Sequence, residues 1–251
     1  MSLVDIGANL GHRSFREDLP AVLARARAAG VETIMVTGTS VQASRRALEL
    51  ATAQGLQSTA GIHPHEASQW GPWATDALRE LHASPRVVAV GECGLDYDRD
   101  FSPRPAQRAA FAAQLALAAE LGKPVFLHER AAHADFSAML KEARPRGVVH
   151  CFTGDAAALE VYLELGLHVG ITGWIADDRR GAHLRPLLAR VPRDRLMIET
   201  DAPFLTPAPR KGRNEPAFLT DVLAAVARAL GRSTEEVARD TTATAQALFG
   251  V

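Results

Sequence analysis

The sequence predicts an α/β protein of the (β/α)₈ TIM-barrel class, folded as a single domain over residues 1–251. Short β-branched runs alternate with longer Ala-, Leu- and Arg-rich stretches of helical period, which is typical of βα units repeated around a parallel sheet. Eight such units suit a closed barrel better than an open doubly wound sheet, and no GxGxxG or P-loop motif follows an early strand. No linker, charge run or low-complexity segment indicates a domain boundary.

Each element is predicted from this alternation in chain order. The expected strands are Val4–Asn9, Glu32–Thr37, Gln57–Ile62, Val87–Glu92, Pro124–His128, Gly147–Phe152, His168–Gly173 and Leu196–Thr200. The expected helices are Ser14–Ala29, Gln42–Gln54, Ala74–Ala83, Pro105–Leu121, Ala132–Ala143, Ala156–Leu165 and Arg180–Ala189, with two more between Pro216 and Phe249. Most of these helices are followed by Gly or Pro, where helix C-caps and breakers belong.

The composition excludes several classes of protein. With 47% hydrophobic and 23% charged residues, the chain has enough apolar surface for a large core and is not disordered. The formal net charge of −1 gives no overall attraction to nucleic acid or membranes, so phosphate binding must come from local basic clusters. Cys93 and Cys151 show no CxxC spacing, and no apolar run approaches the ~20 residues of a membrane span. We expect a cytoplasmic protein without a leader, a membrane association or an obligate protein partner.

The predicted strand ends are unusually polar. In TIM barrels the catalytic side chains project from the C-terminal ends of the strands. These ends carry Asp5, Asn9, His63, Glu92, His128, Arg130, His150, Glu199 and Asp201. A barrel selected only for stability has little use for three histidines and several carboxylates around one mouth. The pattern therefore indicates a metal-dependent hydrolase.

Four of these residues form a candidate metal site, Glu92, His128, His150 and Asp201. Two imidazoles and two carboxylates suit Zn²⁺ or Mn²⁺, and a carboxylate can bridge two ions or leave a position for water. Taken singly, each histidine is more simply a hydrogen-bonded strand-end residue. Their joint occurrence at the ends of different strands favours metal binding.

Substrate binding is assigned to His63, Arg130 and Asn9 at the same mouth. His63 belongs to an H-P-H step with His65, and either histidine can instead fold the loop. Arg130 follows His128 by two residues, shares its direction on an extended strand and can clamp an anionic oxygen, unless it forms a surface ion pair.

The remaining polar residues near the mouth receive weaker assignments. Cys93 and Cys151 each follow a proposed ligand directly, so on an extended strand they should face the helices and pack there. Asp96 and Asp98 are expected to cap turns in a loop after strand four. Asn214 is expected to cap a helix. Arg179, Arg180, Arg210, Lys211 and Arg213 follow strands seven and eight, where barrels often bind phosphate, or else form a solvated charged loop.

Ordered motifs along the whole chain resemble the TatD family of metal-dependent deoxyribonucleases. They are V-D-I-G-A-N-L at Val4–Leu10, T-A-G-I-H-P-H at Thr59–His65, G-E-C-G-L-D at Gly91–Asp96, F-L-H-E-R at Phe126–Arg130, H-C-F-T-G at His150–Gly154, G-I-T-G-W at Gly170–Trp174, E-T-D-A-P at Glu199–Pro203 and R-N-E-P at Arg213–Pro216. The resemblance implies a barrel nuclease that cleaves DNA, largely as a 3′→5′ exonuclease on single strands with Mg²⁺, and a part in DNA repair. It implies metal ligation by the same four residues, Glu92, His128, His150 and Asp201.

The chain departs from the wider family at its first strand, where Gly7 and Asn9 stand in place of two histidines. Neutral oxygen attracts a divalent cation less than imidazole nitrogen does, so we expect one tightly bound ion and a weaker second ion beside Asp201. Replacing both residues by histidine is then expected to create a second site.

The mechanism expected from these residues is hydrolysis by an activated water. Asp201 orients and deprotonates the water, Glu92 and the histidines hold the ion, and His63 and Arg130 bind phosphate. An amidohydrolase-type enzyme acting on a small ester, amide or phosphoester is the alternative. Such enzymes often use a carboxylated lysine, and Lys123 lies at the wrong end of its strand. A non-catalytic binding barrel is the second alternative.

Overall fold

A computed structural model describes residues 2–251 and contains one eight-stranded parallel sheet. The strands are β1 Leu3–Ala8, β2 Val31–Val36, β3 Gln57–Ala60, β4 Val87–Asp96, β5 Val125–Arg130, β6 Gly147–Val149, β7 His168–Ile171 and β8 Leu196–Ile198. They pair in chain order from β1 to β8. The backbone N–H of Asp201 donates to the Gly7 carbonyl (2.8 Å) and that of Asn9 to the Ala202 carbonyl (2.6 Å), which joins the last strand to the first. The predicted (β/α)₈ barrel is confirmed.

The helices alternate with the strands as expected. They are α1 Leu19–Ala28, α2 Val41–Gln54, α3 Pro72–Leu81, α4 Arg104–Leu121, α5 His133–Ala143, α6 Ala156–Glu164, α7 Arg185–Leu188, α8 Leu219–Leu230 and α9 Thr234–Phe249. Local sequence explains their ends: Gly55, Gly122 and Gly231 terminate α2, α4 and α8 in the left-handed conformation. Ser233 and Glu236 form a capping box that starts α9.

Two predicted helices are shorter in the structure. The expected helix Arg180–Ala189 is reduced to the single turn of α7, because Asp177 accepts hydrogen bonds from the backbone N–H groups of Arg179 and Arg180 and folds that stretch into a turn. The expected helix from Ser14 begins only at Leu19, after a short 3₁₀ turn.

The barrel encloses its own apolar core, separate from the larger core between strands and helices. Inward-facing side chains such as Val4, Met35, Phe126 and Met197 are buried together with Leu248 and Phe249 from α9. Because α9 covers the N-terminal end of the barrel in this way, ligands reach the interior from the opposite end. None of the helices in residues 2–251 combines the length and apolar character needed to cross a bilayer.

Candidate active site

A cavity of about 440 Å³ lies at the C-terminal mouth of the barrel. Its lining includes every residue of the predicted metal-binding and substrate-binding sets: Asn9, His63, Glu92, His128, Arg130, His150 and Asp201. These side chains come from the ends of six different strands or from the loops directly after them. The fold therefore brings the whole predicted set together, while the role of each residue stays a prediction.

Glu92 lies at the centre of this set. Its Oε1 is 3.2 Å from His63 Nε2, 3.0 Å from His128 Nδ1 and 2.8 Å from His150 Nε2. The backbone fixes its position, because the Glu92 N–H donates to the Gly38 carbonyl at 2.8 Å. Three imidazoles thus converge on a single carboxylate oxygen in a buried setting.

The electrostatics of this cluster follow from burial and close pairing. Burial opposes ionisation of Glu92, but His150 and His63 hold the pKa of its carboxyl well below the ordinary value. Burial likewise disfavours the cationic form of His150, but Glu92 and Glu199 raise its pKa well above normal. Burial dominates at His63 and lowers its pKa to about 4. A negative centre is therefore surrounded by nitrogen donors, one of which stays neutral near pH 7.

The donor set fits a divalent cation. One ligand atom from each of His63, Glu92 and His128 lies within 4.8 Å of the others, and His150 Nε2 approaches the same Glu92 oxygen. Imidazole nitrogen together with carboxylate oxygen is the donor chemistry of Zn²⁺ and Mn²⁺ sites. His63, which the sequence assigns to phosphate, therefore lies among the possible ligands.

Asp201 enters the cavity from the loop after β8. It adopts a left-handed backbone conformation, with φ of 53°. Asn9 Nδ2 donates to its Oδ1 at 2.9 Å. Burial raises the pKa of Asp201 to about 7; His150 opposes the shift, and Glu92 adds to it. The Asn9 amide thus fixes one oxygen of a carboxylate that lies next to the ligand cluster.

The expectation that Asp96 caps a turn in a loop is incomplete, because β4 continues to this residue. Asp96 is only 3% exposed, and its Oδ2 lies 2.7 Å from His65 Nε2 and 3.4 Å from His128 Nε2. Its Oδ1 does accept turn hydrogen bonds from the backbone N–H groups of Asp98 and Arg99. Asp96 therefore orients two histidines of the site. A spacing of four residues from Glu92 on one extended strand was the available signal.

Glu199 is the second functional residue that the sequence analysis left without a role. It is fully buried, and its Oε2 lies 3.3 Å from His150 Nδ1 while its Oε1 accepts the Cys151 N–H at 2.6 Å. A Cβ on Gly7 or Gly170 would lie only 2.6 Å from these two oxygens. Glycine is required at both positions because the carboxylate lies between them and holds His150 from behind.

The two cysteines differ. Cys93 is fully buried in the core between strands and helices, as predicted. The prediction that Cys151 faces the helices is wrong, because β6 ends at Val149 and Cys151 adopts φ of 46°. Its side chain lines the cavity beside His150, with Sγ 3.7 Å from Thr172 Oγ1.

The interpretation of Asn214 as a helix cap is also wrong. Its Nδ2 donates to the carbonyls of Thr200 (2.9 Å) and Phe204 (2.6 Å), and α8 begins only at Leu219. Asn214 is fully buried and holds the loop after β8 against the barrel, which positions Asp201.

Among the basic residues after β7 and β8, Arg210 and Arg213 form ion pairs, and Arg180 lies near the ring of Trp174. Arg210 is paired with Asp221 (2.5 Å), and Arg213 is paired with Asp18 (2.6 Å). The guanidinium of Arg180 lies 5.3 Å from the ring of Trp174, and that of Arg130 lies 4.9 Å from the same ring. Arg130 lines the cavity and forms no salt bridge with a carboxylate within residues 2–251.

A closed βα barrel with histidines and carboxylates gathered at its C-terminal mouth defines a metal-dependent barrel hydrolase. Comparison with known proteins identifies the family. The family model described as TatD related DNase matches residues 4–250, and the chain belongs to this family.

Similar proteins cover the whole chain. The 3′-5′ ssDNA/RNA exonuclease TatD of Klebsiella pneumoniae (strain 342) is 49% identical over 258 residues, which cover 99% of this chain and 98% of the relative. The crystal structure of YJJV, a TatD homologue from Escherichia coli K12, is similar with a TM-score of 0.92 at 31% identity, covering 99% and 98% of the two chains. A TatD family hydrolase from Entamoeba histolytica gives a TM-score of 0.91 at 25% identity, with the same coverage.

Proposed function

We propose that this protein is a metal-dependent nuclease that hydrolyses phosphodiester bonds of single-stranded DNA and RNA from the 3′ end. The observation that carries the proposal is the convergence of three imidazoles on Glu92 Oε1 within 3.2 Å, at the mouth of a barrel of the TatD-related DNase family. The name of the Klebsiella relative supports the single-stranded substrates and the direction.

Glu92, His128 and His150 would hold the ion, with His63 next to them and Asp201 on the open side. When bound, a divalent cation supplies a Lewis acid that polarises a phosphoryl oxygen and lowers the pKa of a water molecule. The nitrogen-rich donor set favours Mn²⁺ or Zn²⁺ over the Mg²⁺ implied by family resemblance. One ion should bind tightly, and a second ion beside Asp201 more weakly.

The side chains divide the remaining work. Asp201 orients the attacking water and accepts its proton, because Asn9 fixes Oδ1 and leaves Oδ2 free to face the cavity. Arg130 binds a non-bridging phosphate oxygen through its guanidinium. Asp96 orients His128, and Glu199 orients His150. Attack of the water on phosphorus breaks the bond to the leaving oxygen.

The proposal is tested by hydrolysis of end-labelled single-stranded DNA, single-stranded RNA and duplex DNA with Mg²⁺, Mn²⁺ or Zn²⁺. We expect activity on the single strands and its loss in Glu92→Gln, because an amide keeps the shape of the side chain but removes the charge that holds the ion. Glu215→Gln is the matched control: Glu215 is also buried, but it pairs with Arg25 outside the cavity. Undiminished hydrolysis by a folded, metal-free Glu92→Gln protein would contradict the assignment.

An amidohydrolase that uses a carboxylated lysine is disfavoured by the position of Lys123. Its Nζ donates to the His82 carbonyl at 2.8 Å, and the residue precedes β5 at the end opposite to the cavity. Absence of hydrolysis on all nucleic acids with all three metals would instead favour the binding-barrel alternative. A role in DNA repair, a cytoplasmic location and a single hydrolase domain over residues 1–251 stay predictions.

A further inference from the structure

Two exposed aromatic side chains flank the mouth of the cavity. Phe204 is 49% exposed and lines the cavity directly. Phe101 is 69% exposed, and its ring centroid lies 4.7 Å from that of His65, which lines the cavity. Trp73 is the one other large hydrophobic residue exposed in residues 2–251, and it does not line this cavity.

The two phenylalanines lie on opposite sides of the mouth. Phe101 belongs to the loop after β4 and Phe204 to the loop after β8, and these strands are four positions apart in an eight-stranded closed barrel. Each ring is held at one side by a histidine in an edge-to-face contact. His65 holds Phe101 at an interplanar angle of 66°, and His12 holds Phe204 at 68° with centroids 5.6 Å apart. Both rings are thus positioned by packing while much of their surface remains accessible.

Two arginines also line the cavity between the strands and loops of the mouth. Arg46 of α2 lines the cavity as Arg130 does, and neither has an ion-pair partner within the described ranges of the chain. A groove that combines such cations with exposed aromatic rings has the two elements by which proteins hold single-stranded nucleic acid. The cations contact phosphates, and the rings stack on bases.

We propose that Phe101 and Phe204 are stacking platforms for nucleobases on the two sides of the bond that is cleaved, and that Arg46 binds a flanking phosphate; this rests on the proposed nuclease function. In a duplex both faces of every internal base are occupied by its neighbours, so the platforms accept only unpaired bases. The same contacts serve DNA and RNA, because every base has a π-face. Exposed aromatic residues at the mouth therefore account for a preference for single strands.

The test is a binding titration of the metal-loaded protein with fluorescent ten-nucleotide strands whose phosphorothioate linkages resist hydrolysis. The strands are single-stranded DNA, its duplex, and an abasic strand with the same number of phosphates. Phe101→Ala and Phe204→Ala should each weaken binding of the base-bearing strand by about fivefold or more. Their binding of the abasic strand should stay unchanged, and Phe→Tyr at either position should restore the affinity. Trp73→Ala is the matched control for an exposed aromatic residue.

Arg46→Ala should weaken binding of the base-bearing and abasic strands equally and reduce the dependence of the affinity on salt. Arg45→Ala is the matched control, because Arg45 is exposed on the same helix but does not line the cavity. If the phenylalanine variants lose affinity equally for the base-bearing and abasic strands, or lose affinity for neither strand, the proposal that these residues stack on bases is overturned. Failure of the wild-type protein to hydrolyse any nucleic acid would overturn the proposed function itself, so the two failures are distinguishable.

Discussion

Glu199→Gln removes one charge behind His150 and leaves the volume of the side chain unchanged. To bind an ion the His150 ring must be neutral, and because the Glu199 carboxylate can only accept hydrogen bonds, the remaining ring proton then lies on Nδ1 and the Nε2 lone pair is available to the ion. In the variant, the carbonyl oxygen of the new amide is expected to take the Cys151 N–H, which is the shorter contact at 2.6 Å. The NH₂ group of this amide then faces Nδ1 and donates to it. The ring proton moves to Nε2, which can no longer bind an ion.

The expected decrease in metal affinity follows from the loss of the orientation of His150. Substituting the partner that orients a metal-binding histidine typically lowers metal affinity by roughly 10- to 100-fold, or about 1.4 to 2.8 kcal/mol. Glu199 is fully buried and Gly7 and Gly170 lie against it, so bulk water does not reach the position of the lost acceptor. We therefore expect a value near the upper end of this range.

Calorimetric titration of metal-stripped protein with Mn²⁺ or Zn²⁺ measures the effect without an activity assay. Asp5→Asn is the matched control. Asp5 is also fully buried and accepts from the Thr200 N–H (2.9 Å) and Oγ1–H (2.6 Å), but it has no contact with the histidines. The Asp5→Asn substitution should lower the unfolding temperature and leave the metal affinity unchanged. An affinity in folded Glu199→Gln equal to that of the wild type would refute the positioning role.

Three further predictions concern the ions, the substrate and the core. Titration of the wild type should give one tight ion per chain, and two equivalent tight sites would contradict the ligand assignment. Arg130→Ala should raise KM for a phosphodiester at unchanged metal affinity, whereas equal loss of metal binding would make the residue structural. Burial lowers the pKa of His82 from 6.5 to about 4. The free energy of unfolding is therefore full above pH 6.5 and decreases by up to about 3 kcal/mol as the pH falls toward 4, because only the unfolded chain takes up the proton in this range. His82→Gln keeps the donor to the Ala60 carbonyl and should reduce the dependence of the free energy of unfolding on pH between 6.5 and 4. An unchanged pH dependence would exclude His82 as its source.

The repeated βα pattern was sufficient to predict the order of the strands and most of the helices. Parallel strands are buried on both faces and read as apolar runs, and Gly or Pro separates each from the helix before it. The exceptions lie where polar side chains bond to local backbone, as Asp177 does before α7. Such bonds replace helical turns in a way that hydrophobic periodicity does not register.

The candidate site was predicted through residue type and strand position together, and all the residues assigned to metal and substrate at the strand ends line one cavity. The errors have a conformational cause. Alternation of side chains holds only while the backbone stays extended, and Cys151 leaves that conformation directly after His150. Its side chain consequently turns to the cavity. At Asp96 the strand instead continues further than expected, which places a second carboxylate on the same face as Glu92.

The departure at the first strand has a steric meaning that the sequence did not reveal. Interpreted as a missing ligand, Gly7 led to the expectation that histidines at positions 7 and 9 create a second metal site. In the structure a Cβ on Gly7 would lie 2.6 Å from Glu199 Oε2 and 2.9 Å from Cζ of the buried Phe126. A larger side chain must therefore displace the carboxylate that orients His150. Gly7 provides the space that the Glu199 carboxylate occupies. A histidine at position 7 would add one nitrogen donor but disturb the orientation of His150, so glycine at this position preserves one well-oriented nitrogen ligand.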